Sequence, residues 1–290
     1  MDFQKNQSVL LSGFADEIDI RFDRQLQALE EFDMRFIELR SADGVNVADL
    51  TDEKLSEIKT KLDARRIAVS SIGSPIGKIP VTEAFAPHFD RFRRVVEIAK
   101  ALGTSNIRVF SFYIPKGENP EAHRGDVIAR MRELADYASE AGVTLLHENE
   151  KGIYGDTAAR CEDLMQTLYC GSFKAVFDFA NFVECGENTL EAYERLKPYI
   201  AYIHIKDATA GEHRIVPAGE GDGQLAAILG KLKEAGYRGF LSLEPHLVDF
   251  AGLQSLEQEA KQRNSGMDGK TAWRLALYAL KSILWDIDWR

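Results

Sequence analysis

The chain is poor in several features that define whole classes of protein. Its three cysteines, Cys161, Cys170 and Cys185, are an odd number with no CxxC spacing, which argues against a disulfide framework and a zinc knuckle. Basic runs are absent, and 36 Lys and Arg stand against 46 Asp and Glu for a net charge of −10. A nucleic-acid partner needs clustered cations to neutralise phosphates, so none is expected. A small anionic substrate, needing only one or two local cations, stays compatible with this balance. No apolar run approaches membrane-spanning length, so no membrane association is expected. The N-terminus, MDFQKNQSVLLSGF, lacks a basic region followed by an apolar stretch; without a signal peptide, a cytoplasmic location is expected. With only 8 prolines, no linker-like stretch and no shift in composition, nothing divides the 290 residues.

What is present is a regular alternation of short apolar runs and longer segments of helical periodicity. Strands are predicted at 10–16 (LLSGFAD), 35–41 (RFIELRS), 68–74 (AVSSIGS) and 106–112 (NIRVFSF). Four more follow at 143–150 (VTLLHENE), 174–181 (KAVFDFAN), 201–207 (AYIHIKD) and 239–246 (GFLSLEPH). Between them lie amphipathic patterns such as Phe92, Val95, Val96, Ala99 and Leu102, or Leu225, Ile228, Leu229 and Leu232. Gly103, Gly142 and Gly236 supply helix stops. Eight strand–helix units in a chain of this length predict one α/β domain over 1–290, a closed (β/α)8 TIM barrel. The rival, an open doubly wound sheet, would carry GxGxxG after an early strand, where this chain reads GFADEIDI. The polar stretch 248–270 reads as an inserted loop or lid before the last helix, equally compatible with a subunit contact in a homo-oligomer or an idle surface extension.

The last four strands carry the chemistry. Side chains alternate between the faces of a strand. Leu241 and Leu243 share one face, and Ser242, Glu244 and His246 the other. Ile203 and Ile205 oppose Tyr202, His204 and Lys206; Val176 and Asp178 share a face, as do Leu146, Glu148 and Glu150, while His147 falls opposite. Glu148, Asp178, His204 and Glu244 can therefore point inward at the carboxyl ends of successive strands, where barrel active sites lie. Three carboxylates meeting one imidazole away from water need a cation, and an oxygen-rich set with a single His suits one Mn2+, Mg2+ or Co2+. The alternative is that each residue separately caps a strand or joins a salt bridge.

The pieces GFADE, IELR, HENE, DFAN, HIKD, GEGDG and LEPH, spread over the whole chain, resemble the xylose-isomerase-like TIM-barrel superfamily of sugar phosphate isomerases and epimerases. The resemblance implies metal ligands at Glu148, Asp178, His204 and Glu244, with Glu148 and Glu244 also acting as the catalytic acid/base pair. One departure is Asn181, which stands where ketose 3-epimerases of the superfamily have a histidine. Barrel endonucleases of the same superfamily need several more histidines and a basic face, which six histidines and the acidic balance do not offer.

Softer candidates for binding substrate are Glu150, Lys206, His246 and, in the loop after strand 7, Arg214. Each also has a structural reading, as a neighbour of a ligand, an ion-pair partner or a solvated side chain. Backbone amides of the glycine-rich 219–223 run could meet a phosphate, although Glu220 and Asp222 would repel one. His88, His123 and His213 have no supporting context. The expected activity is metal-dependent isomerisation or epimerisation of a carbohydrate, by proton transfer next to a carbonyl through an enediolate. The alternative is a metal-dependent lyase or dehydratase, acting on a keto-sugar or keto-glycoside by β-elimination from the same intermediate.

Overall fold

A computed structural model describes residues 9–250 and 266–289. The apolar runs become eight strands: β1 (Leu10–Gly13), β2 (Phe36–Leu39), β3 (Ala68–Ile72), β4 (Asn106–Val109), β5 (Thr144–Glu148), β6 (Phe173–Asp178), β7 (Ile200–Ile205) and β8 (Phe240–Leu243). Every ladder between them is parallel. The order is β1-β8-β7-β6-β5-β4-β3-β2, and β1 lies beside β2, so the sheet is a nearly closed (β/α)8 barrel of one domain.

Helices alternate with the strands: α1 (Phe22–Glu31), α2 (Asp52–Arg65), α3 (Phe85–Ala101), α4 (Arg124–Ala141), α5 (Ala158–Leu168), α6 (Thr189–Leu196), α7 (Leu225–Glu234) and α8 (Gly269–Asp286). Their apolar stripes face the barrel. In α3, Phe92, Val95, Val96, Ile98 and Ala99 are buried, each large side chain contributing about 1.5–3 kcal/mol. Gly103, Gly142 and Gly236 all sit at positive φ just past helix ends, where a residue with a Cβ would be strained. Among the described residues no helix is long and apolar enough to cross a membrane.

Two layers fill the barrel. Inward-facing Leu146, Val176 and Tyr202 form an apolar floor with Phe240. Polar groups occupy the upper layer because the ladder sets them level: Asp178 pairs with His204, and His204 with Ser242. The observed strands end earlier than the predicted ones. In β6, Asp178 accepts the Asn181 backbone N–H and so caps a short helix, Phe179–Glu184, that ends the strand. Most of the predicted insertion, residues 251–265, lies outside the described residues, and 269–270 belong to α8.

The glycine-rich run after β7 is committed internally. The Asp207 carboxylate accepts backbone N–H groups from Ala208, Gly219, Gly221 and Gly223, so three amides of the run already have an acceptor. A Cβ on Gly221 or Gly223 would collide with that carboxylate, which explains glycine there.

Candidate metal centre and active site

Glu148 ends β5, Asp178 ends β6, His204 lies in β7, and Glu244 follows β8 directly. All four are buried, and one donor atom from each lies within 4.8 Å of every other. Two donors opposed across a cation at oxygen-ligand distances of about 2.4 Å would be separated by about 4.8 Å. The set therefore has the dimensions of a first coordination sphere. His204 Nδ1 lies 2.8 Å from Glu148 Oε1, 3.4 Å from Glu244 Oε2 and 4.0 Å from Asp178 Oδ2. Glu148 Oε2 and Asp178 Oδ2 are buried without a hydrogen bond among the described residues. Their nearest cations, Arg108 at 3.3 Å and Lys206 at 3.1 Å, touch them as ion pairs only. Under-satisfied, buried carboxylate oxygens on neighbouring strands are what a divalent cation would complete.

His204 is oriented from below. Its Nε2 lies 3.2 Å from Glu38 Oε2, and the Ser242 hydroxyl donates to the same oxygen at 2.6 Å. An Nε2–H donated to Glu38 leaves Nδ1 to face the three carboxylates. Phe14 packs edge-on against the imidazole at 5.3 Å.

The charges around this cluster do not cancel. Among the described residues, Asp16, Glu17, Glu38, Glu148, Asp178 and Glu244 are buried around three permanent cations, Arg40, Arg108 and Lys206. Arg40 binds Asp16 through Nε and NH2, each at 2.9 Å, with Glu17 at 3.2 Å and Glu244 at 3.0 Å. Lys206 bridges Asp178 and Glu244 at 3.1 and 3.4 Å. Burial pushes the Asp178 carboxyl up to about 7, against the pull of Lys206. Burial also opposes charge on Glu148, yet His204 and Arg108 outweigh it and hold that carboxyl at about 2. For His204, burial favours the neutral ring, but Glu148 and Glu38 overcome it and raise its pKa well above the ordinary value. Both upward shifts favour protons on Asp178 and His204 when no cation is bound.

The softer candidates divide. Lys206 sits among the ligands and pairs with Asp178 and Glu244, not Glu150. His246 has its ring 3.4 Å from Glu244 and 3.5 Å from Glu17, whose carboxylate also accepts the His246 backbone N–H at 2.7 Å. Its φ of 47° is unusual for a residue with a side chain, and such strain persists only where surroundings enforce it. Glu150 stands at the mouth and pairs with Lys78 at 2.8 Å. Arg214 is not brought to the cluster: it lies on a two-strand ribbon outside the barrel, exposed, 3.4 Å from Glu212. His147 faces the helices, its Nε2 3.0 Å from the Ser111 hydroxyl.

Sequence reasoning assigned no role to Glu38, Arg40, Arg108, Asp16 or Glu17. A signal existed for three of them. Glu38 and Arg40 alternate with Ile37 and Leu39, and Arg108 lies between Ile107 and Val109, so all three occupy the inward phase.

A family model described as xylose isomerase-like TIM barrel matches residues 26–267. The chain belongs to that family. Among curated proteins it is 23% identical over 236 residues to the YihM protein of Escherichia coli (strain K12), covering 76% of this chain and 66% of YihM. It is 18% identical over 135 residues to a 3-dehydroshikimate dehydratase of Bacillus anthracis, covering 47% of this chain. The matches span just under two thirds of YihM and 48% of the dehydratase. Among solved structures, an L-ribulose 3-epimerase superposes with a TM-score of 0.77 at 18% identity, covering 97% of this chain and 96% of the other. The IolI protein with a bound zinc atom superposes with a TM-score of 0.75 at 18% identity, covering 96% and 99%. At these identities the superpositions show a shared fold.

Proposed function

We propose that this protein is a divalent-metal-dependent sugar isomerase or epimerase that moves a proton at a carbon next to a carbonyl. The observation that carries the reading is the buried set Glu148, Asp178, His204 and Glu244, with donor atoms close enough to share one cation. A bound Mn2+, Mg2+ or Co2+ would act as a Lewis acid toward a substrate carbonyl and its neighbouring hydroxyl. Asp178 and His204 serve as ligands. Glu148 and Glu244, from strands on opposite flanks of the set, each have two oxygens, so one can ligate while the other accepts a proton. They address the two faces of a bound substrate: one removes the proton, and the other returns it to give the epimer, while return to the adjacent carbon gives the isomer. Lys206 and Arg108 stand beside these carboxylates and oppose the negative charge that builds on an enediolate. The likeness to an L-ribulose 3-epimerase agrees with this chemistry.

A second reading, a lyase or dehydratase acting on a keto-sugar or keto-glycoside, is favoured by the match to the 3-dehydroshikimate dehydratase. The same proton abstraction would then be followed by loss of a group at the β position.

The test is incubation of Mn2+-loaded protein with a panel of sugars and keto-sugars in D2O, read by NMR and mass spectrometry. Deuterium at the carbon next to the carbonyl, with epimer or isomer formed, supports the first reading; an unsaturated product with a released group supports the second. Exchange that survives both Asp178→Ala and His204→Ala at full rate would overturn both.

A further inference from the structure

Beside the metal centre, at the carboxyl ends of β2 to β4, lies a cleft of about 290 Å3, near the lower end for small-molecule sites. Among the described residues its walls carry Arg40, Lys78, Arg91 and Arg108 against one carboxylate, Asp49. Arg108 and Lys78 also line a cavity of about 20 Å3, room for about one water, whose other walls include Lys206, Glu244 and His246. Cleft and reaction centre thus meet at these two shared residues.

Among the described residues, two of these lining arginines each have a buried N–H with no acceptor. Arg108 is almost wholly buried and touches Glu148 and Glu244 through NH1 at 3.3 and 3.6 Å. Its guanidinium lies against the rings of Phe14 and Phe110, at 5.0 and 4.9 Å, and its Nε is buried without a hydrogen bond. Arg91 gives NH2 to both oxygens of Asp49 at 2.8 Å, and its Nε too is buried and unsatisfied. Arg40 is committed to Asp16, Glu17 and Glu244, and Lys78 to Glu150, so these two shape the cleft more than they grip a ligand. A buried N–H without a partner is costly, and native proteins tolerate it mainly where a ligand or water completes it. Guanidinium edges match the paired oxygens of a carboxylate, phosphate or sulfate.

We propose that this cleft seats an oxyanion substituent of the substrate, held by the guanidinium groups of Arg91 and Arg108. The substrate would lie across the barrel mouth, with its reacting carbon at Glu148 and Glu244 and its anionic group over β2 to β4. That placement rests on the proton-transfer reading above; the anion site does not.

Calorimetry on the metal-loaded protein tests the site, with inorganic phosphate, sulfate and acetate as probes and chloride as the ionic-strength control. At least one oxyanion should bind saturably, and the arms separate tetrahedral from carboxylate ligands. Arg91→Gln should weaken that binding at least tenfold and Arg91→Lys by less, with thermal midpoints checking the fold. No saturable binding, or binding unaffected by Arg91→Gln, overturns the proposal. If the site binds phosphate but no sugar exchanges in D2O, the proton-transfer reading fails and the anion site stands. If sugars exchange and Arg91→Gln has no effect on oxyanion binding, the site fails alone.

Discussion

Loading the metal centre should expel protons, and their number follows from the electrostatics of the cluster. Ligation requires bare carboxylates and a neutral imidazole. In the ion-free protein at pH 7, His204 carries a proton, held by Glu148 at 2.8 Å and Glu38 at 3.2 Å against the cost of burial. Asp178, pushed up to about 7 by burial, is partly protonated near neutral pH, and Glu148, held at about 2, is ionised. One divalent ion should therefore displace about one to two protons at pH 7. Acid populates the protonated forms that compete with the ion, so affinity falls as pH falls. From pH 7 to 6 the loss should be about one to two decades in Kd. Titration of Mn2+ by calorimetry in buffers of different ionisation enthalpy gives the proton count as a slope. His204→Asn should lower the count by about one. A slope of zero at pH 7, or a Kd unchanged between pH 6 and 8, would mean that the ion-free cluster carries no displaceable protons.

Four substitutions probe the site and its supports. Glu148→Gln and Glu244→Gln should each keep the fold and much of the metal, while turnover of whichever panel sugar reacts falls about 100-fold or more; near-normal turnover with metal bound would reassign the acid/base work. Glu38→Gln should weaken metal affinity about 10- to 100-fold by freeing His204 from its anchor, and an unchanged Kd would deny Glu38 that role. Gly77→Ala combines a φ of 90° with a Cβ driven into the Phe110 backbone carbonyl. It should cost at least about 3 kcal/mol by urea unfolding, and a cost under about 1 kcal/mol would show that the loop relaxes freely.

How much of this could be read in the sequence depended on periodicity. In β7, Ile203 and Ile205 mark the helix-facing phase, so His204 and Lys206 could be assigned inward, and the structure buries both there. The same alternation brought out Glu148, Asp178 and Glu244. It ran out where strands end. Asp178 caps a helix at once, and Arg214 lies in a ribbon whose direction no strand pattern sets. Strand alternation puts His246 on the inward side, yet with a φ of 47° it leaves the extended backbone altogether. Asp16 and Glu17 fall in a 3-10 turn after β1, where neither strand nor helix period applies, and only folding brings them to Arg40. Arg108 was legible by phase, but an isolated arginine between Ile107 and Val109 does not reveal that two glutamates from other strands meet it.

One divalent cation is predicted to bind Glu148, Asp178, His204 and Glu244 together. Anomalous diffraction from crystals equilibrated with Mn2+ tests it most directly. A single strong peak is predicted, about 2.0–2.6 Å from one donor atom of each of the four side chains. It should disappear in Asp178→Ala. Crystals that show no peak among these four residues, or a peak only between Glu17, Glu244 and His246, the second grouping of suitable donors among the described residues, would show that the four do not share a cation.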